Sequence, residues 1–242
     1  VEMGPPPRLQ ACAMAAAALP RRSYWGSKIV AIGKNYAKHK VEMGGTAERL
    51  EKPMFFFKPN SSVIASGEPI VRPAGCKELH HEVELGVVIK GRARNVSAAD
   101  WRSVLGGWVL GLDMTARDWQ LEAKKAGAPW SLSKGCDSFT PLTTVLPADA
   151  IADPAAMTLR LRVDGKERQF GSTSAMLHSV PELIAYVTSV ITLEDGDVIL
   201  TGTPEGVAEV APGSVISCEL ADEAGTVAAT LECPVVDGGS SA

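Results

Sequence analysis

From residue 28 onward the chain is a succession of apolar runs of strand length separated by turn signals, without linker, repeat or low-complexity break. The long helices that parallel strands need between them are few, so the hydrophobic residues must be buried on the faces of a sheet. This predicts an α+β, strand-rich fold: a mixed, mostly antiparallel β-sheet that curls on itself into a barrel or sandwich, with a few short helices. Residues 28–33 (KIVAIG) read as a buried strand, 35–43 as a short helix closed by Gly44 and Gly45, and 54–57 (MFFF) as core. The runs 82–90 (EVELGVVIK) and 106–112 (GGWVLGL) read as strands. Residues 115–125 fit a helix, with Thr115 and Asp118 at capping-box spacing and Pro129 closing the segment. An Asp164-Gly165 turn between 159–163 and 166–170 predicts a hairpin, and Pro181 opens a helix whose Leu183, Ile184, Val187, Val190 and Ile191 share one face. From 197 to 235 the pattern is strand and turn.

The length of 242 residues suits one core, and the reading is a single catalytic domain over 28–237, an N-terminal extension over 1–27 and a tail over 238–242. The 24 basic and 28 acidic residues leave a net charge of −4 with no basic stripe, so nucleic acid is excluded as an expected partner. Five widely spaced cysteines without a CxxC favour a reducing, intracellular compartment. The alanine-rich run at 11–19 falls short of the ~20 residues a membrane span requires, so no membrane partner is expected. No acid stands between Glu2 and Glu42 while seven basic residues do, which faintly resembles an organellar targeting segment; an alanine-rich remnant is the other reading. Mitochondrial and cytosolic locations both remain open. GxGxxG after a strand, GxxxxGK[ST], GxSxG and HExxH are all absent, which removes the dinucleotide, nucleoside-triphosphate, serine-hydrolase and zincin readings.

Glu82 and Glu84 are two apart on a strand, so both carboxylates project from one face. Two like charges that close, next to a buried Gly-Val-Val-Ile run, raise one carboxylate's pKa unless a cation neutralises them; a solvated acidic face is the alternative. Asp113 ends the apolar strand before a helix, where it is either a cap or a third carboxylate. Three such groups make an all-oxygen site for Mg²⁺, with Mn²⁺ or Ca²⁺ as alternatives. His39 and Glu42 stand at i and i+3, so a carboxylate can hold one imidazole nitrogen and leave the other to take a proton from water; a surface pair is the alternative.

Asn35-Tyr36 with His39 and Glu42, the strand HHEVELGVVI, the stretch 113–120 (DMTARDWQ), Lys134-Gly135 and 200–206 (LTGTPEG) together closely resemble the fumarylacetoacetate hydrolase superfamily, nearest its small acylpyruvases, some of which decarboxylate oxaloacetate. The resemblance covers 28–235. It implies that Glu82, Glu84 and Asp113 hold the metal, that His39 and Glu42 activate water on a lid helix, and that Lys134 reaches the substrate's oxygens. Gln120, Arg117 and Thr201 are implied as substrate contacts, Arg117 with an ion-pair alternative and Thr201 with a turn alternative. Lys134-Gly-Cys-Asp137 departs from the bulkier sequence that this branch can show after the lysine, which leaves substrate choice open.

The implied activity is Mg²⁺-assisted hydrolysis of the carbon–carbon bond of acylpyruvates (2,4-dioxo acids) to pyruvate and a carboxylic acid, with decarboxylation of oxaloacetate through the same pyruvate enolate. A small 2-oxo or 2,4-dioxo acid is the implied substrate and a homodimer the implied assembly. The alternatives are a superfamily hydratase or isomerase acting on 2-oxo dienoic acids, against which the His39–Glu42 pair argues, and a non-catalytic metal-binding scaffold.

Overall fold

The computed structural model describes residues 25–239. Residues 1–24, with the alanine-rich run and Cys12, and residues 240–242 lie outside the described residues. The chain opens on β1 (Ile29–Gly33), turns through the short helix α1 (Ala37–Glu42) and returns antiparallel to β1 as β2 (Met54–Lys58). Short strands β3 (Val63–Ala65), β4 (Ile70–Arg72) and β5 (Leu79–His80) lead to the long antiparallel pair β6 (Val83–Ile89) and β7 (Leu105–Leu112). After β8 (Thr115–Ala116) come α2 (Arg117–Ala126), α3 (Ser131–Lys134), β9 (Thr140–Leu142) and β10 (Leu146–Pro147). The hairpin β11 (Met157–Val163) and β12 (Lys166–Ser172), helix α4 (Val180–Val190), then β13 (Val198–Leu200), β14 (Val215–Asp222) and β15 (Val227–Asp237) complete it.

The strands form a curled mixed sheet in the order β2-β1-β13-β6-β7-β9-β3, with β10 beside β7, and a five-stranded sheet in the order β12-β11-β14-β15-β4. The few parallel pairs, β1 with β13, β3 with β9 and β4 with β15, join segments remote in sequence. Continuous apolar runs are used because the larger sheet is buried on both faces. Val30, Ile32, Leu85, Val87, Leu110 and Ile199 face the second sheet's Leu159, Leu161, Leu220 and Leu231, whereas Ile29, Ala31, Val88, Val109, Val198 and Leu200 build a smaller cluster on the other side.

The Asp164-Gly165 hairpin forms as its sequence requires, both turn residues at positive φ (51° and 76°). Three local expectations fail. Val190, 51% exposed, and Ile191, beyond the end of α4, do not share the buried face of Leu183, Ile184 and Val187. Thr115 and Asp118 do not cap α2: Thr115 pairs with His80 between β8 and β5, and Asp118 instead accepts a hydrogen bond from the Lys77 backbone N–H. The MFFF run is an edge strand rather than core, with Phe57 49% exposed. Helix α4 gains a capping box from Ser179 and Glu182 that its apolar face did not advertise. Among the described residues no helix is long and apolar enough to cross a membrane.

Candidate active site

The register of β6 and β7 brings the carboxylates together. Glu84 lies opposite Gly111, and the Asp113 backbone N–H donates to the Glu82 carbonyl two residues further along, so Glu82, Glu84 and Asp113 project from the face that carries Val88 and Val109. One oxygen of each lies within 4.8 Å of the others, and all three residues are buried. Glycines let apolar side chains close in beside the triad: a Cβ on Gly86 would meet Val109 at 2.5 Å, and one on Gly111 would meet Leu142 at 2.6 Å.

Three buried cations face the triad. Lys134 Nζ bridges Glu82 (2.8 Å) and Asp113 (2.6 Å), Arg117 donates to Glu82, and Lys58 Nζ donates to Asp113 Oδ1 (2.6 Å) and to the Lys134 carbonyl (2.6 Å). Burial alone would raise the Glu82 carboxyl, but Lys134 and Arg117 outweigh it and hold it below its ordinary range. Glu84 has no such partner; it accepts only the Gly202 N–H (2.7 Å) among the described residues. Burial, then the Asp113 and Glu82 charges, raise its pKa well above the ordinary carboxylate value. Burial lowers the Lys134 pKa, but Asp113 and Glu82 more than offset this, so the ammonium stays charged.

Helix α1 carries His39 over the same cavity. His39 Nδ1 is 3.3 Å from Glu42 Oε2, and Glu42 accepts the Gly206 N–H (3.1 Å), which ties the pair to the loop after β13. Asn35 seats the start of this segment by donating to the carbonyls of Thr201 (2.8 Å) and His178 (3.0 Å) and accepting the His178 N–H (2.8 Å).

The cavity is lined by His39, Glu82, Glu84, Asp113, Arg117, Gln120 and Lys134, together with Met43, Phe56 and Trp130. Gln120 accepts from Arg117, and so reaches the cluster through that guanidinium as well as lining the cavity. Glu42 stands behind His39. Thr201 is not brought to the cavity: its backbone N–H and its hydroxyl both donate to the Leu85 carbonyl (3.0 and 2.8 Å), extending the sheet, and Thr203 lines the cavity in its place. Besides Thr203, two participants escape sequence reasoning. Lys58 follows an aromatic strand and gives no signal of its own, and Gly202 is legible only as the glycine of LTGTP, at φ 99° and with its Cβ position 2.8 Å from Asn35 Cβ.

The sequence pattern described as "Fumarylacetoacetate (FAA) hydrolase C-terminal" matches residues 28–235. The chain belongs to the fumarylacetoacetate hydrolase family. It is 47% identical over 197 residues, 81% of this chain and 91% of the relative, to the protein named oxaloacetate tautomerase fahd-1, mitochondrial, of Caenorhabditis elegans. It is 47% identical over 186 residues, 77% of this chain and 83% of the relative, to oxaloacetate tautomerase FAHD1, mitochondrial, of Homo sapiens. Among solved structures, 5-carboxymethyl-2-hydroxymuconate delta-isomerase from Mycobacterium smegmatis matches with a TM-score of 0.77 at 40% identity, covering 90% of this chain and 81% of that one. Fumarylpyruvate hydrolase from Pseudomonas aeruginosa, in complex with Mn²⁺ and pyruvate, matches with a TM-score of 0.80 at 31% identity, covering 86% and 89%. The protein is therefore a family enzyme of the strand-rich fold shared by these hydrolases and isomerases, whose names refer to small organic acids.

The residues present suit a divalent cation. The donor set is oxygen only, which favours a hard ion, and the burial and neighbouring carboxylates that raise Glu84 would be offset by a cation beside it.

Proposed function

We propose that this family member is a divalent-metal-dependent enzyme of 2-oxo acids that generates the enolate of a pyruvoyl group, with oxaloacetate and acylpyruvates as substrates. The observation that carries the proposal is the convergence, over one buried cavity, of the three carboxylates with the His39–Glu42 pair. Mg²⁺, or Mn²⁺ in its place, held by Glu82, Glu84 and Asp113, would polarise a 2-oxo oxygen as a Lewis acid and orient the adjoining carboxylate. The charge count favours an anionic substrate. With Glu84 ionised beside a metal, three carboxylates balance Lys58, Lys134 and Arg117, and a divalent cation with a doubly charged acid adds no net charge.

The chain's own residues supply proton transfer and orientation. Glu42 accepts at His39 Nδ1, which fixes the tautomer and leaves Nε2 as the base. In an acylpyruvate, His39 takes a proton from water as the oxygen adds to the 4-carbonyl. The C3–C4 bond then breaks, its electron pair becoming the pyruvate enolate, and the proton returns to carbon. Lys134, buried and cationic, stabilises the enolate oxygen as charge accumulates, and Arg117 and Gln120 hold the carboxylate end. In oxaloacetate the same enolate chemistry needs no water: proton transfer at carbon gives keto–enol tautomerisation, and loss of CO₂ gives pyruvate. The relatives' printed names support oxaloacetate as substrate and a mitochondrial location; a homodimeric assembly and a single catalytic unit over 28–237 belong to the same proposal.

Purified protein with and without Mg²⁺ tests it: ultraviolet decay of enol-oxaloacetate, and pyruvate release from oxaloacetate and from acetylpyruvate. Mg²⁺-dependent turnover in at least one assay, abolished by Glu84→Gln, is expected. His39→Ala should remove acetylpyruvate hydrolysis first, since only that reaction needs an activated water. If no assay responds to Mg²⁺, the proposal falls.

A further inference from the structure

The loop that brings Thr203 into the cavity rests on the edge strand of the other sheet. A Cβ on Gly171 of β12 would lie 2.5 Å from Pro204, and one on Gly206 would lie 2.0 Å from the Arg168 carbonyl, so loop and strand touch as closely as backbone allows. Between those contacts Gln169 is fully buried and makes four hydrogen bonds. Its Oε1 accepts the Val83 N–H (3.2 Å) and the His81 Nδ1–H (3.0 Å), while its Nε2 donates to the Pro204 carbonyl (2.9 Å) and to Thr203 Oγ1 (2.8 Å).

The assignment of this amide is over-determined. A backbone N–H such as that of Val83 can only donate, and a carbonyl such as that of Pro204 can only accept, so oxygen and nitrogen of Gln169 cannot be exchanged. The second Nε2 hydrogen therefore lands on Thr203 Oγ1 and occupies one of its two lone pairs. Thr203 Oγ1 has no other partner among the described residues, so its own proton is left to donate, and the residue lines the cavity.

From this we infer that Gln169 is a positioning residue that commits the Thr203 hydroxyl to donating a hydrogen bond toward an anionic oxygen of the bound substrate. The inference rests on the 2-oxo acid reading of the cavity and adds a chemical selection to it. A hydroxyl that Gln169 points outward, with no protein acceptor for its proton, favours a carboxylate or enolate oxygen beside it.

The test is calorimetric binding of oxalate, a planar dianion shaped like a pyruvate enolate, to the full chain in the presence of Mg²⁺. Thr203→Val, which keeps shape and loses the hydroxyl, is expected to weaken oxalate about 10- to 100-fold, and Thr203→Ser to bind like the parent. Gln169→Leu should weaken it to a similar degree, and the double variant T203V/Q169L should be within about 2-fold of T203V alone, because Gln169 acts through Thr203. Should Q169L fail to fold, Gln169→Glu carries the test. Its carboxylate still accepts from His81 and Val83 but makes Thr203 donate inward, and it should weaken oxalate like T203V. A merely structural Gln169 would add its full penalty on top of T203V, which overturns the inference; so does oxalate binding by T203V or Q169E as tight as the parent's. If the parent binds no oxalate, the 2-oxo acid reading falls and this one with it, whereas tight binding by parent and variants alike refutes only the positioning role.

Discussion

Replacing Lys58 by methionine removes a charge buried against the carboxylate triad while keeping the length of the side chain. Its ammonium is inaccessible to solvent and bonds Asp113 Oδ1 and the Lys134 carbonyl at 2.6 Å each, so the change strips Asp113 of one of two cations and leaves a buried carbonyl short of a donor. Breaking a buried pair from one side costs about 3–5 kcal/mol. Part of that is offset, because burial already opposes the charge on Lys58, pulling its pKa down. A net loss of about 3 kcal/mol corresponds, for a chain of this size, to a fall in Tm of roughly 6–12 °C. Differential scanning calorimetry of parent and K58M, each with and without Mg²⁺, measures it. The variant cluster carries one more uncompensated negative charge, so saturating Mg²⁺ should raise its Tm further than the parent's. A Tm within 2 °C of the parent, or an equal Mg²⁺ increment in both, would refute the claim that Lys58 is an electrostatic member of the site.

Further predictions follow from the same geometry. Gly202→Ala puts a Cβ 2.8 Å from Asn35 at a positive φ of 99° and disturbs the N–H that holds Glu84; kinetics should show weaker Mg²⁺ activation and denaturation a loss of about 1–3 kcal/mol. Desolvation first, then Arg117, lowers the His80 pKa from 6.5 to about 4. The unfolded chain therefore takes up the proton first, and stability attributable to His80 drains away as pH falls from 6.5 toward 4, by about 2–3 kcal/mol; urea titrations should show a shallower acid slope in His80→Asn. Asp197 accepts backbone N–H groups of Lys28 (2.9 Å) and Glu194 (2.8 Å) and pairs with Lys28. Burial opposes its charge, but those hydrogen bonds and Lys28 leave its pKa lowered, so its contribution is present above the unfolded value and lost as acid passes the folded one. Asp197→Ala should cost about 3 kcal/mol in chemical denaturation at neutral pH, and an unchanged midpoint would count against the bond pattern.

The carboxylate triad was legible because two of its members obey the period of a strand and the third ends the neighbouring strand, where register does the rest. Residues whose position depends on long-range pairing were not. Lys58 reaches Asp113 only because β2 folds back on β1, and nothing in MFFFK announces that. The two threonines of LTGTP show the limit most clearly. A strict alternation gives Thr201 and Thr203 the same environment, but Thr201 ends the ladder on Leu85 and Gly202, at positive φ, breaks the alternation before Thr203. The expected cap on α2 failed for a related reason: β5 captured Thr115 as a strand partner, a tertiary pairing that outweighs a local capping motif.

The parallel seam between β1 and β13 also sets an order of events in time. Lys28 meets Asp197 across 169 positions of chain, and Ile29 pairs with Val198. During synthesis the segment bearing His39 therefore leaves the ribosome well before the strand that seats it. Such non-local closure is slow relative to helix or hairpin formation. The cavity is thus among the last parts to be assembled, and until β13 docks, β1 and β2 present an unfinished apolar ribbon that other chains can join. Nascent chains that stop short of residue 198 should therefore aggregate rather than show a weakened activity.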